Sequence, residues 1–220
     1  GAGARALASM LMTIERNRQV RLAARPHGVV RESDWEIVDA EAATPEPGEF
    51  AGVTRYISVD PAMRGWVDDR PSYMPPVGLG EVMRAGSIVE VTESRNDRFN
   101  VGDLVSGMFG VQERVVSDGR GVQAIDAGLV PASAYLGVLG MTGLTAYFGL
   151  REVGELKDGE TLVVSGAAGA VGTVAGQLAK RQGCRVVGIA GGPEKCAMVV
   201  DELGFDACVD YKHEDVRRAL

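Results

Sequence analysis

Residues 166–172, Gly-Ala-Ala-Gly-Ala-Val-Gly, constrain the fold of this chain more than any other segment. They follow a short apolar run, Thr161-Leu162-Val163-Val164-Ser165. They precede a stretch with apolar residues at 171, 174, 175, 178 and 179. The run suits a fully buried strand, and the stretch has helical spacing from Ala170 to Gln182. A glycine-rich turn between strand and helix lets backbone N–H groups approach a pyrophosphate, and the helix N-terminus adds its positive end. The pattern departs from G-x-G-x-x-G, because Ala167 stands at the first glycine position and Gly166 lies one residue earlier. The context predicts a dinucleotide turn; the alternative is a tight strand–helix turn that holds no ligand.

The residues after the turn extend the same pattern. Arg185 to Ala190 is predicted as a second strand. Pro193 to Leu203 is predicted as a second helix, with proline in its first turn, where the missing N–H costs nothing. Cys208 to Tyr211 is predicted as a third strand. The resulting β-α-β-α-β order is the first half of a doubly wound parallel sheet. A full six-strand version needs roughly a hundred more residues, at about 30 per βαβ unit. The chain is therefore expected to be truncated at its C-terminus relative to the functional protein.

Upstream, the pattern changes. Ala132 to Leu150 reads as helical despite internal glycines. Before it lie short β-type runs at 35–38, 55–59, 86–91, 103–107 and 112–116, separated by turns such as Pro45-Glu46-Pro47-Gly48 and Asn100-Val101-Gly102-Asp103. Such spacing predicts a compact β-barrel. The expected organisation is α/β, with a β-barrel domain over 13–130 and a partial Rossmann domain over 131–220. Residues 1–12 read as a leader, or as an addition before a start at Met10 or Met12.

Composition narrows the function classes. A hydrophobic fraction of 45% is enough for a core and excludes disorder. The net charge of −7 argues against a general nucleic-acid binder. No run approaches 18 apolar residues, so no membrane span is expected. The three cysteines, Cys184, Cys196 and Cys208, are odd in number and form no C-x-x-C pair. A disulfide framework is not expected, and the cytoplasm is the simplest location. His27 and His213 read as surface residues.

The tip of the second strand bears on coenzyme choice. An NAD site places Asp or Glu about 20 residues after the glycine turn to bind the ribose hydroxyls. Here the region reads Gly188-Ile189-Ala190-Gly191-Gly192-Pro193-Glu194-Lys195, with no acid at the tip. Two glycines leave room for a 2′-phosphate and Lys195 offers a cation, so NADP(H) is favoured. The alternative is that Lys195 is a solvated surface lysine.

Several stretches together resemble the medium-chain dehydrogenase/reductase superfamily, and within it the zinc-free leukotriene/prostaglandin reductase and alkenal double-bond reductase branch. They are Asn17-Arg18-Gln19, the run Tyr56-Ile57-Ser58-Val59-Asp60-Pro61-Ala62-Met63-Arg64-Gly65, the run Gly140-Met141-Thr142-Gly143-Leu144-Thr145-Ala146-Tyr147, the Gly166–Gly172 turn, Glu194-Lys195, and Gly204-Phe205-Asp206 with Asp210-Tyr211-Lys212. The resemblance implies a chaperonin-10-like β-barrel followed by a Rossmann domain that binds NADPH. It places the pyrophosphate on Ala168, Gly169, Ala170, Val171 and Gly172, the 2′-phosphate on Lys195 and the adenosine against Tyr211. It places Met141 and Thr145 beside the nicotinamide, and Tyr56 facing the substrate as a secondary donor or pocket wall. Tyr73 is a further cleft candidate. Taken alone, Met141 and Tyr56 also read as core residues, and Arg64 as the partner of a nearby acid. Glu49 to Thr54 is an odd version of a usually more aliphatic strand.

Zinc-dependent relatives carry an early cysteine and a later Gly-His-Glu. Here those positions fall near Ser58 and Asp60, and at Gly78-Leu79-Gly80-Glu81, which lacks a histidine. A catalytic zinc needs about three His, Cys or carboxylate ligands, so no metal is expected. The expected activity is NADPH-dependent reduction of the carbon–carbon double bond of α,β-unsaturated ketones or aldehydes by a homodimer. The alternatives are a quinone oxidoreductase on the same scaffold, or an NADPH-binding protein without turnover.

Overall fold

A computed structural model describes residues 15–220. The expected leader over 1–12 lies outside the described residues. The chain divides into two compact units, one ending at Ser133 and one spanning Ala134–Leu220.

In the first unit, β1 (Arg16–Leu22) pairs antiparallel with β2 (Trp35–Glu41). A second antiparallel sheet contains β3 (Phe50–Ile57), β4 (Ser87–Ser94), β5 (Leu104–Gly107), β6 (Arg114–Ser117) and β7 (Gln123–Ala124), in the order β6-β3-β4-β5-β7. Single bridges, Gln19 to Gln112 and Arg21 to Val82, tie the ribbon to the segments leading into β6 and β4. The core is aromatic at its centre. Phe50 is fully buried, with its ring centroid 5.1 Å from that of Phe99 and 6.2 Å from that of Phe109, the latter edge-on. Such tilted pairs avoid stacking the negative ring faces. Val89, Val91, Val105 and Val115 close around them. The unusual Glu49–Thr54 stretch thus supplies the first half of β3 and its central core residue. A second cluster gathers Leu22, Val67, Val77 and Met83 around Trp66, which ends the short helix α1 (Ala62–Trp66).

The second unit carries α2 (Met141–Phe148), β8 (Thr161–Ser165), α3 (Ala170–Arg181), β9 (Arg185–Ala190), α4 (Pro193–Ala197), β10 (Ala207–Asp210) and α5 (Val216–Ala219). The three strands are parallel, in the order β10-β9-β8. This is the expected first half of a doubly wound sheet. The sheet core is Val164, Ala167, Ala179, Cys184, Val186, Val199 and Phe205.

Two predicted helices need correction. Residues 132–150 do not form one helix. A 3-10 turn over Ala132–Leu136 is followed by a break, then by α2, which runs into a π turn over Gly149–Val153. The break folds the chain back so tightly that a Cβ on Gly143 would lie 1.7 Å from the Val138 carbonyl oxygen. Pro193–Leu203 is likewise split, because α4 widens into a π turn over Met198–Glu202. In this stretch the N–H of Phe205 reaches the Val199 carbonyl, and Val199 is fully buried. The third strand ends one residue earlier than predicted, which leaves Tyr211 in the turn after β10.

Candidate coenzyme site

The glycine turn sits between β8 and α3. Ala167 is fully buried, and its N–H bonds the Ile189 carbonyl at 3.1 Å, which pins the turn to β9. The Gly169 N–H closes a turn onto the Gly166 carbonyl at 2.8 Å. Gly169 caps α3 in an extended conformation, and no side chain caps that end. The N–H groups of Ala170, Val171 and Gly172 belong to the first helical turn and have no intrahelical acceptor. Gly172 faces back onto the turn, where a Cβ would come 2.3 Å from the Gly166 carbonyl oxygen. The residue therefore permits the close approach of helix and strand that this turn requires. Ala170 and Val171 are exposed, and Ala168 is half-buried.

The second element of the site is the tip of β9. Gly192 has φ +103°, the left-handed region where side chains are strained. The Tyr211 ring lies over Gly191, where a Cβ would come within 2.8 Å of ring atoms. Tyr211 itself remains 56% exposed. Lys195 is exposed, and among the described residues no ion pair engages its ammonium. Ala190, Gly191 and Gly192, the residues of the β9 tip, carry no acid of their own, in keeping with the sequence.

Asp210, which sequence reasoning gave no role of its own, holds this region together. One carboxylate oxygen accepts the Gly192 N–H at 2.7 Å and the Lys212 N–H at 3.1 Å. The other lies 2.6 Å from His213 Nδ1. The bond to His213, followed by that from Gly192, holds the carboxyl below the usual carboxylate range. The available signal was an acid at the end of the third strand, three residues before one of only two histidines. His213 is exposed as expected, but it is paired.

The sign of this shift sets a pH dependence. A depressed folded pKa adds stability above the unfolded value of about 3.9, and that stability is lost as pH falls through the folded value. Asp210→Asn should therefore melt below the wild type at neutral pH, with the two curves converging in acid below about pH 4. A gap that persists unchanged in acid would show that the charge is not responsible.

Helix α2 packs against α3 within the same unit. Met141 and Thr145 share one face of α2, and Thr145 Oγ1 donates to the Met141 carbonyl at 2.7 Å. Met141 is 77% exposed, so the core reading of this residue does not hold. In the first unit, Tyr56 lies on β3 and is 48% exposed, so it is not a packed core tyrosine either. The Tyr73 hydroxyl accepts a hydrogen bond from Trp66 Nε1 at 2.8 Å. Arg64 does pair with an acid, Asp68, at 2.7 Å. Glu81 accepts the Gly78 N–H at 2.8 Å. Among the described residues, no three His, Cys, Asp or Glu side chains gather as a metal set.

Comparison with known proteins bears on this arrangement. The family described as the N-terminal domain of oxidoreductase matches residues 18–125, and that described as zinc-binding dehydrogenase matches residues 170–220. The chain is 44% identical to the NADPH-dependent curcumin reductase of Escherichia coli (strain K12), over 94% of this chain and 60% of that protein. The chain belongs to the medium-chain dehydrogenase/reductase superfamily. It is 40% identical to the NADP(+)-dependent 2-alkenal reductase of Nicotiana tabacum, over 93% of this chain and 61% of the relative. The crystal structure of CurA from Vibrio vulnificus in complex with NADPH superposes with a TM-score of 0.86 at 44% identity, covering 92% of this chain and 60% of that one. The chain thus spans about 60% of the length of the relatives it matches. No helix among the described residues is long and apolar enough to cross a membrane.

Proposed function

We propose that this chain carries the coenzyme-binding part of a zinc-independent reductase that uses NADPH to reduce the carbon–carbon double bond of α,β-unsaturated ketones or aldehydes. The observation that carries the reading is the pairing of two features in one unit. The first is an uncapped helix end behind a tight glycine turn. The second is a β9 tip whose own residues carry no acid, followed by an exposed Lys195 that makes no ion pair among the described residues.

In this reading the backbone of Ala168 and Gly169 and the free N–H groups of Ala170, Val171 and Gly172 hold the pyrophosphate. Each adds a fixed dipole at the positive end of α3. Lys195 meets the 2′-phosphate, and Tyr211 lies against the adenosine. Met141 and Thr145 border the nicotinamide from the exposed face of α2. The bound coenzyme supplies a hydride to the carbon β to the carbonyl. Negative charge then develops on the carbonyl oxygen, and a hydrogen-bond donor stabilises it there without a metal. The exposed phenol of Tyr56 is the donor this chain offers, in a secondary role.

The test is consumption of NADPH by the full-length product of the gene, with an enone or a quinone as acceptor. We expect turnover of the enone, undiminished by a metal chelator. Preference for the quinone, or binding of NADPH with neither acceptor reduced, would overturn the assignment. Loss of activity to the chelator would overturn zinc independence.

A further inference from the structure

Two thiols that the coenzyme reading leaves unused face each other beside Lys195. Cys196 sits on α4, one residue after Lys195, and Cys208 sits on β10. Their Sγ atoms are 2.9 Å apart, with the Cys208 thiol directed at Cys196. Both are free and half-buried. They open onto a surface depression lined also by Pro193, Asp210, His213 and Glu214, so a small oxidant can reach them. The third cysteine, Cys184, is 2% exposed and contacts the Lys157 carbonyl.

We propose that Cys196 and Cys208 form a redox-sensitive dithiol, closed to a disulfide by hydroperoxides, and that closure weakens the hold on the 2′-phosphate of NADPH. The second half of this statement rests on the role given to Lys195 above. Burial, and then the bond to Cys196, push the Cys208 thiol up to about 12. Cys208 is therefore the weaker nucleophile, and Cys196, at the start of α4, is the attacking sulfur. Cys196 Sγ attacks the terminal oxygen of the hydroperoxide, and its thiol proton passes to solvent. The O–O bond breaks, the alkoxide takes up a proton and leaves as an alcohol, and Cys196 becomes a sulfenic acid. Cys208 sulfur then attacks Cys196 Sγ. The S–S bond forms, and hydroxide leaves with the Cys208 proton as water. Two thiols lose two electrons in all, and one hydroperoxide is reduced to alcohol and water.

Closure must shorten the contact from 2.9 Å to a bond of about 2.05 Å. The start of α4 is the freer partner, because β10 is fixed by its ladder to β9. The Cys196 N–H also bonds the Gly192 carbonyl, so the Gly191–Lys195 turn follows the shift. Lys195 moves with this turn, while the pyrophosphate turn at α3 lies outside it.

Treatment of the native protein with hydrogen peroxide, followed by non-reducing peptide mapping, tests the chemistry. The expected result is a Cys196–Cys208 cross-linked peptide, reversed by dithiothreitol and absent from Cys196→Ser and Cys208→Ser. Stable sulfenic or sulfinic acid at one cysteine without the cross-link, or no oxidation of either, would overturn the proposal. Because the map is made on wild type, poor folding of a serine variant does not affect it. Coenzyme titration of the cross-linked and reduced forms tests the coupling. Cross-linking should weaken NADPH binding about tenfold and leave NADH within about twofold. Equal NADPH affinity in both forms would refute the coupling. Failure of the reduced form to prefer NADPH would instead refute the Lys195 reading, leaving the cross-link to stand or fall on the map.

Discussion

Lys195→Ala should weaken NADPH binding roughly ten- to a hundredfold and leave NADH binding within about twofold. The range follows from a charge-assisted hydrogen bond, worth about 1.5–3 kcal/mol when a partner is removed. Lys195 makes no ion pair among the described residues, so its loss breaks no ion pair among them. The fold should therefore melt as the wild type does, which separates this variant from one that damages the site indirectly. NADH lacks the 2′-phosphate and serves as the internal control. Lys195→Arg should keep much of the preference, since the charge remains, although a guanidinium reaches differently. The measurement is the dissociation constant of each coenzyme by titration. An unchanged preference in Lys195→Ala would make the residue a solvated surface lysine.

The legibility of this molecule in its sequence was uneven, and the pattern has physical causes. The β8–α3 segment was readable because α3 keeps helical spacing, with Ala175 and Ala179 buried, and because Gly172 is required where no side chain fits; β8 is not the fully buried strand its apolar run suggests, since Val164 is buried but Val163 is 43% exposed. The strand β1 was not among the runs predicted from β-type residues. Two of its three buried positions are Asn17 and Gln19, at 6% and 9% exposure, so hydrophobic alternation is absent there. Both side chains are satisfied by Gln112 at 3.0 Å, from a segment far along the chain. A buried amide is affordable only with such partners, and no local rule identifies them. The breaks in residues 132–150 and 193–203 were missed for a related reason. A π turn and a doubled-back loop are fixed by what lies beneath them, here Val199 in the sheet core and Gly143 against Val138. Asp210 escaped notice because its function is to fasten a turn from the neighbouring strand, at a sequence distance of 18 residues. The exposure of Met141 and Tyr56 likewise depends on tertiary context that residue type does not carry.

Gly176→Ala should destabilise the protein even though alanine is the better helix former. Gly176 lies inside α3, where glycine costs roughly 1 kcal/mol relative to alanine, so propensity alone predicts a gain. Packing predicts the reverse. A Cβ at this position would lie 1.8 Å from Phe205 Cζ and 2.2 Å from its Cε1. Phe205 is 3% exposed and belongs to the sheet core with Val164, Val186 and Val199. Its ring is a rigid plane, and the sheet leaves it no direction in which to retreat without displacing those neighbours. Overpacking of this kind costs about 1–3 kcal/mol, and contacts this short lie at the upper end. The net loss should be about 1–2 kcal/mol once the helix gain is subtracted. Thermal melting of the purified protein reads the change. The double variant Gly176→Ala/Phe205→Leu separates the two effects, because a smaller side chain makes room for the methyl group. It should be more stable than the sum of the single changes allows, the signature of two residues in direct contact. Additive losses, or a Gly176→Ala protein more stable than wild type, would show that the ring yields and that the helix is not held at Gly176.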